Sequence, residues 1–189
     1  MKNTFPDHNQ ISVVSTFSEL VNSNFQREMN AICWSRHLVG DFKEIVAKLD
    51  LKENITEVSI EDLLVLQLSK KGHLAREMIL RDMQLLTDFG ASPSLNLLKS
   101  YEQDEYLDFI STDVYSYHVD RAPIETDTFL CTYHGAASEI LPNDQVEQKI
   151  LIPEIREQLK KLHPTQQVLP CVHRAPAEKD GEYRLLLIC

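Results

Sequence analysis

Val114-Tyr115-Ser116-Tyr117-His118-Val119-Asp120 reads as a strand that carries its chemistry on one side. Alternate residues of a strand point to the same face, so His118 and Asp120 project together while Val119 turns the other way. A second His-centred segment, Cys171-Val172-His173-Arg174, follows later in the chain, and Arg184 lies beyond it in the apolar run that closes with Leu185-Leu186-Leu187-Ile188-Cys189. Two imidazoles and one carboxylate from separate strands, followed by an arginine, are the donor set that a mononuclear non-haem iron site binding a keto acid needs. These residues therefore predict a β core and a metal centre together.

Working outward, the part after Gly90-Ala91-Ser92-Pro93 breaks into strand-like pieces: Leu95 to Tyr101, Val114 to Val119, Thr128 to Tyr133, Ser138 to Leu141, Val168 to Val172 and Tyr183 to Cys189. Pro142-Asn143-Asp144 and Lys179-Asp180-Gly181 supply turns, and Pro153 to Leu162 interrupts as a helix with proline in its first turn. The part before residue 90 is mainly helical. Asp41 is placed to cap a helix in which Phe42, Ile45, Val46 and Leu49 share a face, and Ser59 with Asp62 forms a capping-box pattern ahead of Leu63 and Leu64. A longer helix from about Gly72 to Phe89 carries Ala75, Met78, Ile79, Met83, Leu86 and Phe89 along one side and stops at Gly90. Ala31 to Trp34 reads as a short strand, Thr16 to Met29 as a helix, and the first dozen residues as loose chain. The expectation is one α+β domain over 1–189, with a helical buttress at 13–92 and a β core at 93–189.

Composition narrows the function classes. At 189 residues and 43% hydrophobic content the chain can bury a core, and 29 acidic residues against 19 basic ones give a charge of −10. That balance argues against nucleic acid, whose phosphates are held by clustered Lys and Arg. Apolar runs such as Leu63 to Leu66 fall far short of the roughly 20 residues that span a bilayer. The start of the chain lacks the apolar stretch of a secretory signal, so a cytoplasmic protein without membrane partners is expected. The four cysteines, at 33, 131, 171 and 189, show no C-x-x-C pair, and reduced thiols are the ordinary reading. Cys131 with His134, and Cys171 with His173, have spacings that also suit zinc.

On this frame His118, Asp120 and His173 form a facial triad that leaves up to three positions of an octahedral iron open. A keto acid would fill two of these, and its far carboxylate would need a fixed cation. Arg184 suits that task, because a guanidinium grips a carboxylate through two parallel hydrogen bonds and stays charged when buried. Tyr117 and Tyr133 are candidates for a further hydrogen bond to the ligand carboxylate, and equally for core tyrosines with satisfied hydroxyls. Arg174, next to His173, points to the opposite face of a regular strand.

From His118 onward, the order of His118-Val119-Asp120, Thr128-Phe129-Leu130-Cys131-Thr132-Tyr133, Gly135-Ala136-Ala137-Ser138-Glu139, His173 and Gly181-Glu182-Tyr183-Arg184 resembles the double-stranded β-helix of iron- and 2-oxoglutarate-dependent oxygenases, especially the prolyl-hydroxylase-like branch. Ile32-Cys33-Trp34-Ser35-Arg36, the His118-Val119-Asp120 motif, the Thr132-Tyr133-His134-Gly135 segment and His173-Arg174-Ala175-Pro176 are in addition similar to an uncharacterised bacterial family known only as a domain of unknown function. The first resemblance implies a jelly-roll or cupin-like β core, Fe(II) and 2-oxoglutarate as cofactors, and a dioxygenase acting on an unspecified small molecule or protein. The chain departs from that pattern at Ile124-Glu125-Thr126-Asp127, where a basic residue is usual, and in having no Gly-Asp turn before His173. Two other readings use the same residues. One is a zinc protein of metal homeostasis or sensing built on His118, Asp120 and His173, with Cys131 or Cys171; the other is a degenerate barrel serving as an interaction module.

Overall fold

The computed structural model describes residues 10–26, 28–101, 114–120, 126–146, 152–154, 171–177, 179 and 181–189. They form a mixed α+β architecture with four α-helices and, among the described residues, no closed barrel. Two compact units draw on interleaved stretches of chain: the first on 1–36, 106–127 and 139–175, the second on 37–105, 128–138 and 176–189. No helix among the described residues is long and apolar enough to cross a membrane.

In the first unit β1 (Ile11–Val14) pairs in parallel with β2 (Ala31–Trp34), and α1 (Phe17–Asn22) lies in the connection between them. Parallel strands need such a crossover, because a tight turn can only join antiparallel ones. Thr16 starts α1 with a full capping box, its hydroxyl accepting from the Glu19 amide while the Glu19 carboxylate accepts from the Thr16 amide. The Trp34 ring meets Phe17 of α1 at 5.9 Å, and its indole N–H donates to the Ser15 carbonyl at 3.0 Å. The helix is thus shorter than the Thr16 to Met29 expected, and residues 11 and 12 are strand instead of loose chain. The same unit holds a small antiparallel sheet in which β6 (Glu139–Leu141) pairs with β7 (Val172–Arg174), and β7 exchanges hydrogen bonds with His118 on its other side.

The second unit is a four-stranded antiparallel sheet in the order β3 (Ile55–Glu57), β4 (Ser94–Leu98), β8 (Arg184–Ile188), β5 (Leu130–His134), accompanied by α2 (Phe42–Lys48), α3 (Ile60–Leu64) and α4 (Lys70–Phe89). Register places Leu95 opposite Leu187 and Leu97 opposite Leu185, and all four are buried. Each such side chain contributes about 1.5–3 kcal/mol on leaving water. Along α4 the buried positions are Gly72, Ala75, Ile79, Asp82 and Leu86, a helical stripe with a carboxylate in its middle. Ser69 caps α4 by accepting from the Gly72 amide, so the helix begins before the Gly72 expected. Glu44 of α2 reaches the same cap, accepting from the Ser69 amide at 2.9 Å and from Lys48 at 2.8 Å. Lys48 first, and then Ser69, hold its carboxyl down at about 2. Gly90 ends α4 at φ 97°, the left-handed cap that its position suggested.

Of the expected strands, Val114 to Val119 forms no regular strand: only His118 enters a ladder, with Ala175 donating to the Val114 carbonyl beyond it. The helix expected from Pro153 to Leu162 and the strand from Val168 lie mostly outside the described residues.

Candidate metal centre

The site is built on the middle of the first unit's small sheet. The His118 and His173 amides each donate to the other's carbonyl at 2.9 Å, which locks the two residues directly opposite one another. Opposed residues of antiparallel strands share a face, and here the two imidazoles stand 4.7 Å apart, tilted by 54°. Asp120, one alternation beyond His118, brings its carboxylate to the same place: Oδ1 lies 3.4 Å from His173 Nε2 and 3.9 Å from His118 Nε2. One donor atom from each of the three residues falls within 4.8 Å of the others.

The second ring nitrogens are already occupied. His118 Nδ1 lies 2.7 Å from the Ser116 carbonyl and His173 Nδ1 lies 3.1 Å from the Cys171 carbonyl, in each case the residue two positions earlier. A carbonyl can only accept, so each Nδ1 carries the proton and donates. In the neutral rings that a metal requires, the lone pairs are then on Nε2, with the Nδ1 backing that metal-binding histidines usually have; in the metal-free pair a protonated His173 donates to Asp120 through Nε2. Bonds of roughly 2.1 Å put neighbouring ligand atoms roughly 3.0 Å apart around an octahedral ion and roughly 3.4 Å apart around a tetrahedral one. The His173–Asp120 separation falls at the upper figure, and the His118–Asp120 separation is wider by about half an ångström. The Asp120 side chain is 56% exposed and has room to turn toward His118. The donor set therefore fits a divalent transition metal.

Electrostatics within the group are dominated by the His173–Asp120 pair. A hydrogen bond from His173 holds the Asp120 carboxyl below the usual range, against the opposing effect of burial. The same bond raises His173, again against burial, with the Cys171 carbonyl adding to the rise. Burial, and then the Asp120 charge, push the Cys171 thiol up to about 11, so it stays protonated beside the group. No cysteine belongs to the three-residue group found among the described residues.

The other candidates fall elsewhere. Tyr117 is on the reverse face of the small sheet, donating to Glu139 Oε2 at 3.1 Å and lying under the Arg174 guanidinium at 4.5 Å. Arg174 is bound to that same Glu139 oxygen through Nε at 2.9 Å and Nη2 at 2.7 Å. Tyr133 belongs to the second unit, where it is buried, stacks on Phe42 at 5.3 Å and donates to the carboxylate of Asp82 at 2.6 Å. Both tyrosine hydroxyls thus have protein carboxylates as acceptors.

Arg184, also in the second unit, opens β8 opposite Leu98 and shares the face of Leu186. Thr132 is opposed to Leu186, and the ladder slips between Thr132 and His134, so Tyr133 turns to the other side, toward Asp82. Tyr133 and Arg184 consequently do not act on one ligand. Among the described residues no carboxylate lies within ion-pair distance of Arg184. Its Nη1 donates to the Tyr101 hydroxyl at 3.4 Å and its Nη2 to Ser138 Oγ at 3.3 Å, both long, while buried Nε has no acceptor among the described residues. Arg184 as a whole is half-buried, and Nε is the part of it shut off from water. Gly135 fixes its stem: at φ 84°, an added Cβ would come within 2.9 Å of Arg184 Cγ and 2.6 Å of the Tyr183 carbonyl oxygen.

Sequence reasoning missed Ser116 and Cys171 as carbonyl partners of the two imidazoles, because backbone acceptors have no residue-type signal. It also missed Asp82, whose place in the Ala75–Ile79–Leu86 stripe was the available cue.

The chain belongs to the family described as protein of unknown function (DUF1826), whose model matches residues 17–189. No curated protein and no solved structure matches it.

Proposed function

We propose that this protein is an Fe(II)- and 2-oxoglutarate-dependent oxygenase, with His118, Asp120 and His173 as the metal ligands. The observation that carries the reading is the convergence of two Nε2 atoms and one carboxylate oxygen, with both Nδ1 protons already committed to backbone carbonyls. Two histidines and one carboxylate with open positions are the donor set of non-haem Fe(II) oxygenases.

Strand order supports a double-stranded β-helix as the finer fold. From β4 onward, β4, β5 and β8 join in one sheet, and the His118 segment, β6 and β7 join in the other. The first of these strands pairs with the last, and the second with the one before the last. A long antiparallel hairpin folded over on itself, as in a jelly roll, gives that pattern.

When bound, iron supplies the oxygen chemistry, with the keto acid as the co-reductant that loses carbon dioxide while a substrate C–H is oxidised. The chain's part is to hold and to position. His118 and His173 are kept in one tautomer by Ser116 and Cys171, and Asp120 supplies negative charge to a dication. No cysteine belongs to the three-residue group among the described residues, which favours iron over a cysteine-ligated zinc site. Anaerobic titration of the Fe(II)-loaded protein with 2-oxoglutarate tests the proposal. A weak visible charge-transfer band that saturates at one equivalent is expected, and metal-loaded protein with no band refutes it.

A further inference from the structure

The face of the small sheet that bears the metal group also carries Ile140 of β6, which the reading above does not use. β7 places His173 between two opposed residues, His118 on one side and Ile140 of β6 on the other. Directly opposed residues point the same way, so the two imidazoles and Ile140 form one row across three strands. The row on the reverse face is polar and closed on itself: Tyr117 donates to Glu139, and Arg174 binds Glu139 while lying over the Tyr117 ring. The polar side chains that have found partners are thus behind the sheet, and the aliphatic one stands beside the ligands. Ile140 is 40% exposed, so its branched side chain is open to contact. A lone exposed isoleucine is ordinary; its register with His173 gives this one a place next to the ion.

We propose that Ile140 is a specificity-determining residue that packs against the aliphatic segment of the organic acid chelating the metal. The inference rests on the metal reading above. Three protein ligands on one side of an octahedral ion leave the other side open, and a chelator filling two open positions carries its carbon chain away over the neighbouring residues. An isoleucine there removes methylene groups from water and offers no hydrogen bond. Ligands with unsubstituted methylenes next to the chelating atoms are therefore favoured, and those bearing a hydroxyl or amine at that point are disfavoured.

The test uses the full chain loaded with Co(II), whose visible spectrum reports ligand binding without turnover. Acetohydroxamate, butanohydroxamate and hexanohydroxamate serve as chelators of one head group and growing chain. A fully buried methylene is worth about fourfold in affinity, so partial contact should tighten binding by roughly twofold to fourfold per methylene in the unaltered protein. Ile140→Thr, which keeps the β-branch and the strand preference, and Ile140→Ala should both flatten that slope while acetohydroxamate affinity is held within about twofold. A chain-length slope absent from the unaltered protein, or unchanged in both variants, overturns this inference alone. A chain that binds no Co(II) overturns the metal reading and the inference with it.

Discussion

Gly135 and Gly90 both have positive φ, at 84° and 97°, and differ in what surrounds them. A Cβ on Gly90 would meet nothing within 4 Å, whereas one on Gly135 would lie 2.6 Å from the Tyr183 carbonyl oxygen and 3.2 Å from Arg184 Cα. Those neighbours are backbone atoms of β8 and its approach, so they cannot swing aside as a flexible side chain can. Replacing either glycine by alanine incurs the left-handed penalty, roughly 1–2 kcal/mol. Gly135→Ala adds an overpacking cost of about 1–3 kcal/mol for displacing the chain beside it. The pair of variants therefore separates conformation from space. Urea unfolding should place Gly135→Ala below Gly90→Ala by about 1–3 kcal/mol, with unchanged m-values. The same Cβ sits 2.9 Å from Arg184 Cγ, so the guanidinium should also be driven from Ser138. Equal destabilisation of the two variants would refute the close approach on which this reasoning depends.

Three further outcomes follow from the same geometry. Tyr133→Phe removes a 2.6 Å hydrogen bond to the buried Asp82 carboxylate and should cost about 1.5–3 kcal/mol, read as a fall in Tm of roughly 4–8 °C in a thermal melt. Arg184→Met should leave Fe(II) stoichiometry intact, because Arg184 is no part of the three-residue group; loss of the ion in that variant would refute the assignment of the ligands to the small sheet. For pH, His173 is raised and Asp120 lowered by their mutual bond. The stability that the raised imidazole contributes is present below its unfolded value and lost as pH rises through the folded one. That of the depressed carboxyl is present above its unfolded value and lost as pH falls through the folded one. The metal-free pair is thus most stabilising in the mildly acidic window between the two. Metal binding needs His173 neutral, so affinity should climb as pH rises through its raised value, with proton release detectable by calorimetry in buffers of different ionisation enthalpy. Affinity independent of pH across that range would exclude His173 as a ligand.

Local signals were the legible part of the fold. Asp41, Ser59 and Gly90 act at helix ends as their types and spacing suggest, because a cap is decided within four residues of chain. The partners of strands were less so. Ile11–Val14 becomes β1 only by lying beside Ala31–Trp34, and the three residues of β3 gain their role from Leu97 and its neighbours on β4. Neither has enough alternation to announce itself. Conversely, Val114 to Val119 alternates well yet contributes one laddered residue, since Val114 to Ser116 turn before reaching β7. In the candidate site, the alternation of His118 and Asp120 on one strand and the later His173 were readable, and the structure brings these three together. The tautomer-fixing carbonyls of Ser116 and Cys171, and the company of Ile140, depend on pairing between strands far apart in sequence and left no trace in residue types. Tyr117 and Tyr133 illustrate the converse limit: a tyrosine near a motif says nothing of which carboxylate its hydroxyl will find.

The most direct test of the central claim is anaerobic equilibrium binding of Fe(II), with metal counted per chain. The account predicts one tightly held ion in the unaltered protein, and loss of that ion in His118→Ala, Asp120→Ala and His173→Ala alike. His134→Ala, a strand histidine of the second unit outside the group, should retain it. Undiminished iron in His173→Ala and Asp120→Ala would contradict the account.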